Sequence, residues 1–365
     1  MLNSSADARF ERLFRWALAA ALLVGVLAGV LIPRITVQAQ AMEPHTYTVL
    51  AGDSTFFNTH VLAFAPQSLQ VHRGDSVMWR IAGGFHNVHF EQGPSELVIA
   101  PEVDGEPLPQ INPAWLFPSV ESGAVYQGGD ANSGLSLDPE NPLFTFSLVM
   151  DVEPGTYAYF CDLHPGMLGT ITVVDNATPI PSPAEMLTVA AAEFEAQGGQ
   201  AVEAAMITSM QPPAFTDDGV LQVSAGLQAG ASHVFGFFPS VAVIEVGQRV
   251  TWTVPDNSRE PHFVTWPPLP PGSEFEPIFS EAGPPMIALG ESFYPSVESG
   301  AEISVGDSFN SGAMLPPVFT SQSFTGEGLV GPSFTLTFTE PGVYNYVCFV
   351  HPGMQGTVVV MPPTE

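Results

Sequence analysis

Cys161-Asp162-Leu163-His164-Pro165-Gly166-Met167 and Cys348-Phe349-Val350-His351-Pro352-Gly353-Met354 repeat one pattern, Cys-x-x-His-Pro-Gly-Met, and contain the only two cysteines of 365 residues. A thiolate, an imidazole and a thioether in one short loop form a soft, mixed sulfur and nitrogen donor set. Such a set suits copper cycling between Cu(I) and Cu(II), because thiolate and thioether favour the reduced ion while imidazole serves both. A second imidazole must come from elsewhere, and each copy has a candidate upstream, His86 and His262.

Two cysteines in an exported chain are more often a disulfide. Their settings argue against one here. Glu153-Pro154-Gly155-x-Tyr157-x-Tyr159 leads into Cys161, and Glu340-Pro341-Gly342-x-Tyr344-x-Tyr346 leads into Cys348. Each loop then runs into a strand-like segment, Gly169 to Val174 and Gly356 to Val360. Two copies that keep Cys, His and Met in register read as two equivalent metal loops.

These motifs resemble the cupredoxins, the blue copper proteins that include plastocyanin, azurin and amicyanin, and the short Cys-x-x-His-x-x-Met loop is most similar to amicyanin's. The resemblance covers roughly 43–175 and 214–361. It implies an all-β fold of two tandem Greek-key β-sandwiches, each with one His near the end of a middle strand and Cys, His and Met on the loop joining the last two strands. The implied ligand sets are His86, Cys161, His164 and Met167, and His262, Cys348, His351 and Met354, for two type 1 copper ions per chain. His86-Asn87-Val88 is similar to plastocyanin's His-Asn-Val, which implies that the Asn87 amide ties the His strand to the Cys loop. His262-Phe263-Val264 departs from that pattern.

Length and repeat give four regions: 1–41, a signal peptide or membrane anchor; 42–175, the first cupredoxin domain; 176–213, a proline-rich and partly helical linker; and 214–365, the second domain. Arg9, Arg12 and Arg15 precede an uncharged apolar helix candidate of about seventeen residues, Trp16 to Ile32, at the short end for a membrane span. Ala39-Gln40-Ala41 offers a cleavage site. Cleaved or retained, the segment places both domains outside the cytoplasm, in the periplasm or at the cell surface. In the linker, Ser182-Pro183-Ala184-Glu185 is a capping box, and Gly198-Gly199 is expected to end or break the helix that follows.

The net charge is −29, and lysine is absent. Past residue 41 only Arg73, Arg80, Arg249 and Arg259 stand against nearly all of the 37 carboxylates. A field of that sign repels nucleic acid and anionic lipid and steers basic redox partners.

Inside each domain, His60 to Pro66 aligns with His233 to Pro239, and Leu69 to Trp79 aligns with Val243 to Trp252 once one residue is absorbed in the turn after Pro66 or Pro239. These read as the opening strands, with tight turns at Gly74-Asp75 and Gly247-Gln248 and with Trp79 and Trp252 in the core. The long insertions between His and Cys also repeat. Phe117 to Ala124 matches Tyr294 to Ala301, and Asn132-Ser133-Gly134 matches Asn310-Ser311-Gly312. A hairpin with turns near the copper end is expected of each. Carboxylates at Glu121 and Asp130, or Glu298 and Asp307, are read as turn formers before a second metal site.

His60 and His233 are repeat-equivalent and read as hydrogen-bonded strand-end histidines. His45, His72 and His89 have no counterpart and read as surface or structural, although His89 lies where a second copper could recruit a ligand. The functional expectation is an electron carrier without substrate chemistry. Its rivals are a two-domain copper oxidoreductase of the nitrite reductase kind and a copper-buffering or delivery protein. The first is poorly supplied with histidine: Phe160 and Val347, not His, precede the cysteines, and the His-Cys-His of multicopper oxidases is absent. Docking through the ligand-imidazole edge of His164 or His351 is the alternative to electrostatic steering.

Overall fold

The computed structural model describes residues 43–363, apart from 57, 83–85, 92–95, 104–105, 136–142, 271, 280–285 and 321–330. The apolar N-terminal helix expected at 16–32 lies outside the described residues. Among those described, no helix is long and apolar enough to cross a membrane.

Seven principal strands build the first sandwich: β1 Thr46–Phe56, β2 Thr59–Ala65, β3 Ser68–His72, β4 Ser76–Ala82, β5 Leu143–Met150, β6 Gly155–Phe160 and β7 Leu168–Val174. Seven more repeat the plan: β8 Leu221–Ala229, β9 Ser232–Phe238, β10 Val241–Glu245, β11 Arg249–Thr253, β12 Ser333–Phe338, β13 Gly342–Val347 and β14 Gln355–Met361. Each copy therefore opens one strand earlier than the sequence repeat suggests, on β1 and β8. Each of these runs parallel to the tryptophan-bearing strand, β4 or β11.

Alternation sets the faces. In β12 the buried residues are Phe334, Leu336 and Phe338, and in β14 they include Val358 and Val360, as a half-buried strand of period two requires. Trp79 and Trp252 are fully buried, with Tyr159 and Tyr346 edge-on to them at 5.2 and 5.1 Å. The glycine opening each Gly-Thr segment has a reason. A Cβ at Gly169 would stand 2.2 Å from the Tyr159 ring, and one at Gly356 would stand 2.3 Å from Tyr346. The turns at Gly74 and Gly247 do not make hairpins. They carry the chain from β3 or β10, which pair with β7 or β14, across to the opposite sheet.

The two sandwiches share one sheet. Its order runs β5-β4-β1-β2-β9-β8-β11-β12 from one copy into the other. The join is antiparallel β2 against β9, with His60 directly opposite His233. The insertions also meet: Val98–Ile99, Gln110–Ile111, Met286–Leu289 and Phe275–Ile278 form a four-stranded sheet, in which Ala288 pairs with Gln110. Each insertion was expected to fold on its own sandwich. Pairing between copies satisfies backbone groups that neither insertion could satisfy alone.

The linker helix, α1 Pro183–Ser209, starts at the expected capping box, with Ser182 N–H donating to Glu185 at 2.8 Å. It does not break at Gly198-Gly199. Two glycines cost about 1 kcal/mol each relative to alanine. Against that, Ala190, Phe194, Gly198 and Ala201 form a buried face, on which Ala190 and Phe194 pack with Val61 and Ala65 of β2. Tertiary burial overrides local propensity here.

Candidate metal centre

Both cysteines are free and buried. In the first sandwich, Cys161 Sγ lies 3.7 Å from His86 Nδ1 and 3.4 Å from His164 Nδ1. In the second, Cys348 Sγ lies 3.9 Å from His262 Nδ1 and 3.3 Å from His351 Nδ1. Within each group the donor atoms lie within 4.8 Å of one another. A metal bonded at about 2.0 Å to nitrogen and about 2.3 Å to sulfur, at trigonal angles, holds such atoms about 3.7 Å apart. The residues fit a three-coordinate N₂S plane.

The seven-residue loops are closed by backbone bonds. Cys161 N–H donates to Met167 O, and Met167 N–H to His164 O, at 3.0 and 2.9 Å. Cys348, Met354 and His351 repeat both bonds at 3.0 Å. Met167 and Met354 are buried in the cores below these loops. The upstream histidines are held by the repeated Asn-Ser-Gly segments: Ser133 Oγ accepts the Val88 N–H at 2.9 Å, and Ser311 Oγ accepts that of Val264 at 2.8 Å.

Each imidazole that presents Nδ1 to sulfur has a partner for its Nε2. His86 Nε2 faces His60 Nε2 at 3.0 Å, and His262 Nε2 faces His233 Nε2 at 2.9 Å. A metal-bound Nδ1 leaves the proton on Nε2, so His60 and His233 accept through Nε2 and carry their own protons on Nδ1. The His233 proton has an acceptor in Gln228 Oε1 at 3.1 Å, while the nearest carboxylate oxygen to His60 Nδ1, Glu260 Oε1, lies 3.6 Å away, too far for a hydrogen bond. The expected strand-end histidines are hydrogen-bonded, and their partners are the two upstream imidazoles. Burial lowers His233 to about 3, which keeps it the neutral acceptor this requires.

Glu260 was not singled out by sequence. It is buried between the sandwiches, with Oε1 at 3.2 Å from His164 Nε2 and Oε2 at 3.8 Å from His351 Nε2. Burial works to raise its pKa, but the imidazoles around it hold it well below the ordinary carboxylate range. In the metal-free chain His164 rises to about 10 although burial opposes its charge, with Glu260 the largest favourable influence. His351 rises to about 9 against the same opposition, chiefly through Cys348. Glu260 stands two residues before His262, and its repeat position is Gly84, so the repeat that exposed the other site residues passes over it.

One expectation is corrected here. The His164 and His351 rings are not exposed docking edges: His164 is 5% exposed, and both rings turn toward Glu260. His89 is structural, in keeping with its first reading, and belongs to no metal-ligand cluster among the described residues. It is buried, with Nδ1 at 2.6 Å from Asp162 and Nε2 at 2.6 Å from Asp130. Asp130 is thus half of an ion pair, while Asp307 accepts the Ser304 N–H in a turn.

The positions beside the two cysteines are filled differently. Asn87 Oδ1 accepts the Asp162 N–H at 2.8 Å and its amide donates to Asp162 Oδ2 at 2.7 Å, tying His strand to Cys loop. In the second sandwich, Phe263 and Phe349 pack with ring centroids 4.6 Å apart, and the Phe263 N–H donates to Cys348 Sγ at 3.4 Å. Phe235 stacks on His351 at 4.0 Å. Under the His233–His262 pair, β8 bulges at Gly226, where a Cβ would stand 2.4 Å from both Nε2 atoms.

Residues 51–174 match the family model described as copper binding proteins, plastocyanin/azurin family. That stretch is similar to the plastocyanin/azurin copper-binding family. Among solved structures, a Cu(I) form of an amicyanin variant is 22% identical, covering 41% of this chain and 91% of that one, with a TM-score of 0.22. An oxidised amicyanin variant, also 22% identical, covers 40% and 86%, with a TM-score of 0.22. A comparison with curated proteins found no match. The two donor groups fit two copper ions, one in each sandwich.

Proposed function

We propose that this chain is an exported, two-domain blue copper protein that carries electrons, one per copper, without substrate chemistry of its own. The observation that supports this most is the pair of buried N₂S donor groups, each beside a loop that ends in a buried methionine. In this reading Cys161 and Cys348, as thiolates, would hold the copper ions together with His86, His164 and Met167 in the first sandwich and His262, His351 and Met354 in the second. Copper supplies the one-electron change. The protein supplies rigidity: His86, His262 and His164 are held at their far nitrogens, and the loop bonds hold Cys, His and Met in fixed relation. Little then moves between oxidation states.

The inward-facing His164 and His351 make exchange between the two sites the short route. External partners would dock elsewhere on the acidic surface. A basic redox protein fits that charge, and its association should slow as salt rises. The N-terminal segment, cleaved or retained as an anchor, would deliver the chain to the periplasm or cell surface.

Absorption and electron paramagnetic spectra of the copper-loaded chain test the reading. Two intensely blue coppers per chain, with no other copper signal, are expected. A non-blue copper would favour an oxidoreductase, and ready loss of metal to a mild chelator would favour a buffering protein.

A further inference from the structure

Of the imidazoles that face the two cysteines, His351 alone has no hydrogen bond at its far nitrogen among the described residues. Its Nε2 stands 3.8 Å from Glu260 Oε2, beyond bonding distance, whereas His164 Nε2 stands 3.2 Å from Glu260 Oε1. Stacking holds the His351 ring instead. Phe235 lies flat on it, with centroids 4.0 Å apart and planes 12° apart. Phe235 is in turn tied to the first sandwich, because its N–H donates to Asn58 O at 2.7 Å.

Asn58 also reaches the metal loop itself. It stands between β1 and β2 with φ of +56°, a left-handed conformation that asparagine adopts more readily than most residues. From there its Nδ2 donates to Gly353 O at 3.2 Å, just past His351 in the loop. The approach is close: a Cβ at Gly353 would stand 3.1 Å from the Asn58 amide atoms. The join between the sandwiches is two-fold in its backbone but not in its side chains. Leu62 N–H donates to Ala231 O at 2.8 Å, as Phe235 N–H does to Asn58 O. Ala231 and Leu62 hold the repeat places of Asn58 and Phe235, so the first loop receives neither an amide nor a ring from those positions. There Glu260 holds His164 instead.

We propose that Asn58 is a positioning residue of the second metal centre, supplied by the first sandwich. Its carbonyl fixes Phe235, the ring on which His351 is seated. Its amide fixes the loop that carries both His351 and Met354. The second donor group draws its Cys and both His from one sandwich, but the orientation of His351 depends on the other. Each centre then loads on its own ligands, while the shape of the second follows the join between the copies. Groups that orient a ligand tune its metal without touching it. The proposal rests on reading the second donor group as a blue copper site, and it gives that site a requirement outside its own sandwich.

Two variants of the full chain test it. Asn58→Gly and Asn58→Asp both accept the left-handed backbone and keep the carbonyl bond to Phe235, but neither side chain donates to Gly353 O. In a Cys161→Ser chain only the second centre can load. There each variant should change the copper hyperfine splitting and speed copper loss to a chelator about three-fold, a modest factor for one hydrogen bond because Asn58 is exposed. In a Cys348→Ser chain the same variants should leave the first centre unaltered. No change at the second centre, or an equal change at both, would overturn the proposal. A metal-free measurement separates it from the copper reading: Asn58→Gly should speed alkylation of Cys348 by iodoacetamide while Cys161 keeps its rate. A chain without blue copper would sink the functional reading alone, and an unchanged Cys348 rate would sink the role of Asn58.

Discussion

His164 Nε2 lies 3.2 Å from Glu260 Oε1, although the two residues belong to different sandwiches. The other carboxylate oxygen faces His351 at 3.8 Å, so a single buried charge serves both metal groups. An anion so placed favours the more positive, oxidised state at each site. Replacing it by Glu260→Gln should raise both midpoint potentials together. At an effective dielectric of about 20, a charge about 7 Å away is worth about 2 kcal/mol, or roughly 100 mV for one electron. Spectroelectrochemistry of the variant checks this, and a shift confined to one site would show that the carboxylate is not shared.

The two sites should load independently, because each draws its Cys and both His from one sandwich. Cys161→Ser is expected to remove about half of the blue absorption, and Cys348→Ser the other half. Loss of the whole band from either change would demand a shared copper.

The second site should have the higher potential. The Phe263 N–H donates to Cys348 Sγ, which draws charge from the thiolate, and the Phe263–Phe349 pair keeps its surroundings apolar. Beside Cys161 stands the Asp162 carboxylate instead, partly offset by His89 at 2.6 Å. Titrating each single-cysteine variant separately would decide the order. Equal midpoints would mean that His89 cancels Asp162 fully.

His89 links stability to pH. Burial opposes its charge, but hydrogen bonds to Asp162 and Asp130 outweigh it and raise its pKa above the ordinary value. A raised histidine pKa contributes stability that is fully present below the unfolded value near pH 6.5 and lost as pH rises through the folded value. His89→Gln should cost about 2–4 kcal/mol in the acid part of that window, and less in alkali. Melting curves of both chains between pH 5 and pH 9, in steps of about one unit, read it directly. A cost independent of pH would mean that packing, not charge, holds His89.

Gly226→Ala should damage the second site alone. The added Cβ would meet both Nε2 atoms of the His233–His262 pair at 2.4 Å, on a backbone with φ of +82°. Loss of one of two blue components, with the other unchanged, is the expected spectrum.

Much of this was legible in the chain. Cys, His and Met fall within seven residues, so their meeting needs only a loop, and the repeat certifies the loop by writing it twice. A tie from Asn87 to the Cys loop was implied by the resemblance, but that its partner is Asp162 was not legible. The unbroken α1 was not, because Gly198 is tolerated through burial against the sheet and not through anything local. β1 and β8 were missed because the clearest repeat begins one strand later.

By itself, then, the sequence determined the metal chemistry, the duplication and the strands from the repeat onward, all of which rest on near-neighbour spacing and side-chain type. Only the tertiary structure decided how the copies relate. His60 meets His233 through an antiparallel pairing of strands from different copies, and the insertions share a sheet. Glu260, without a counterpart in the repeat, then lies between both ligand sets. These are contacts between segments far apart in the chain, and no local pattern encodes them, because they are fixed by which surfaces the two sandwiches bury against each other.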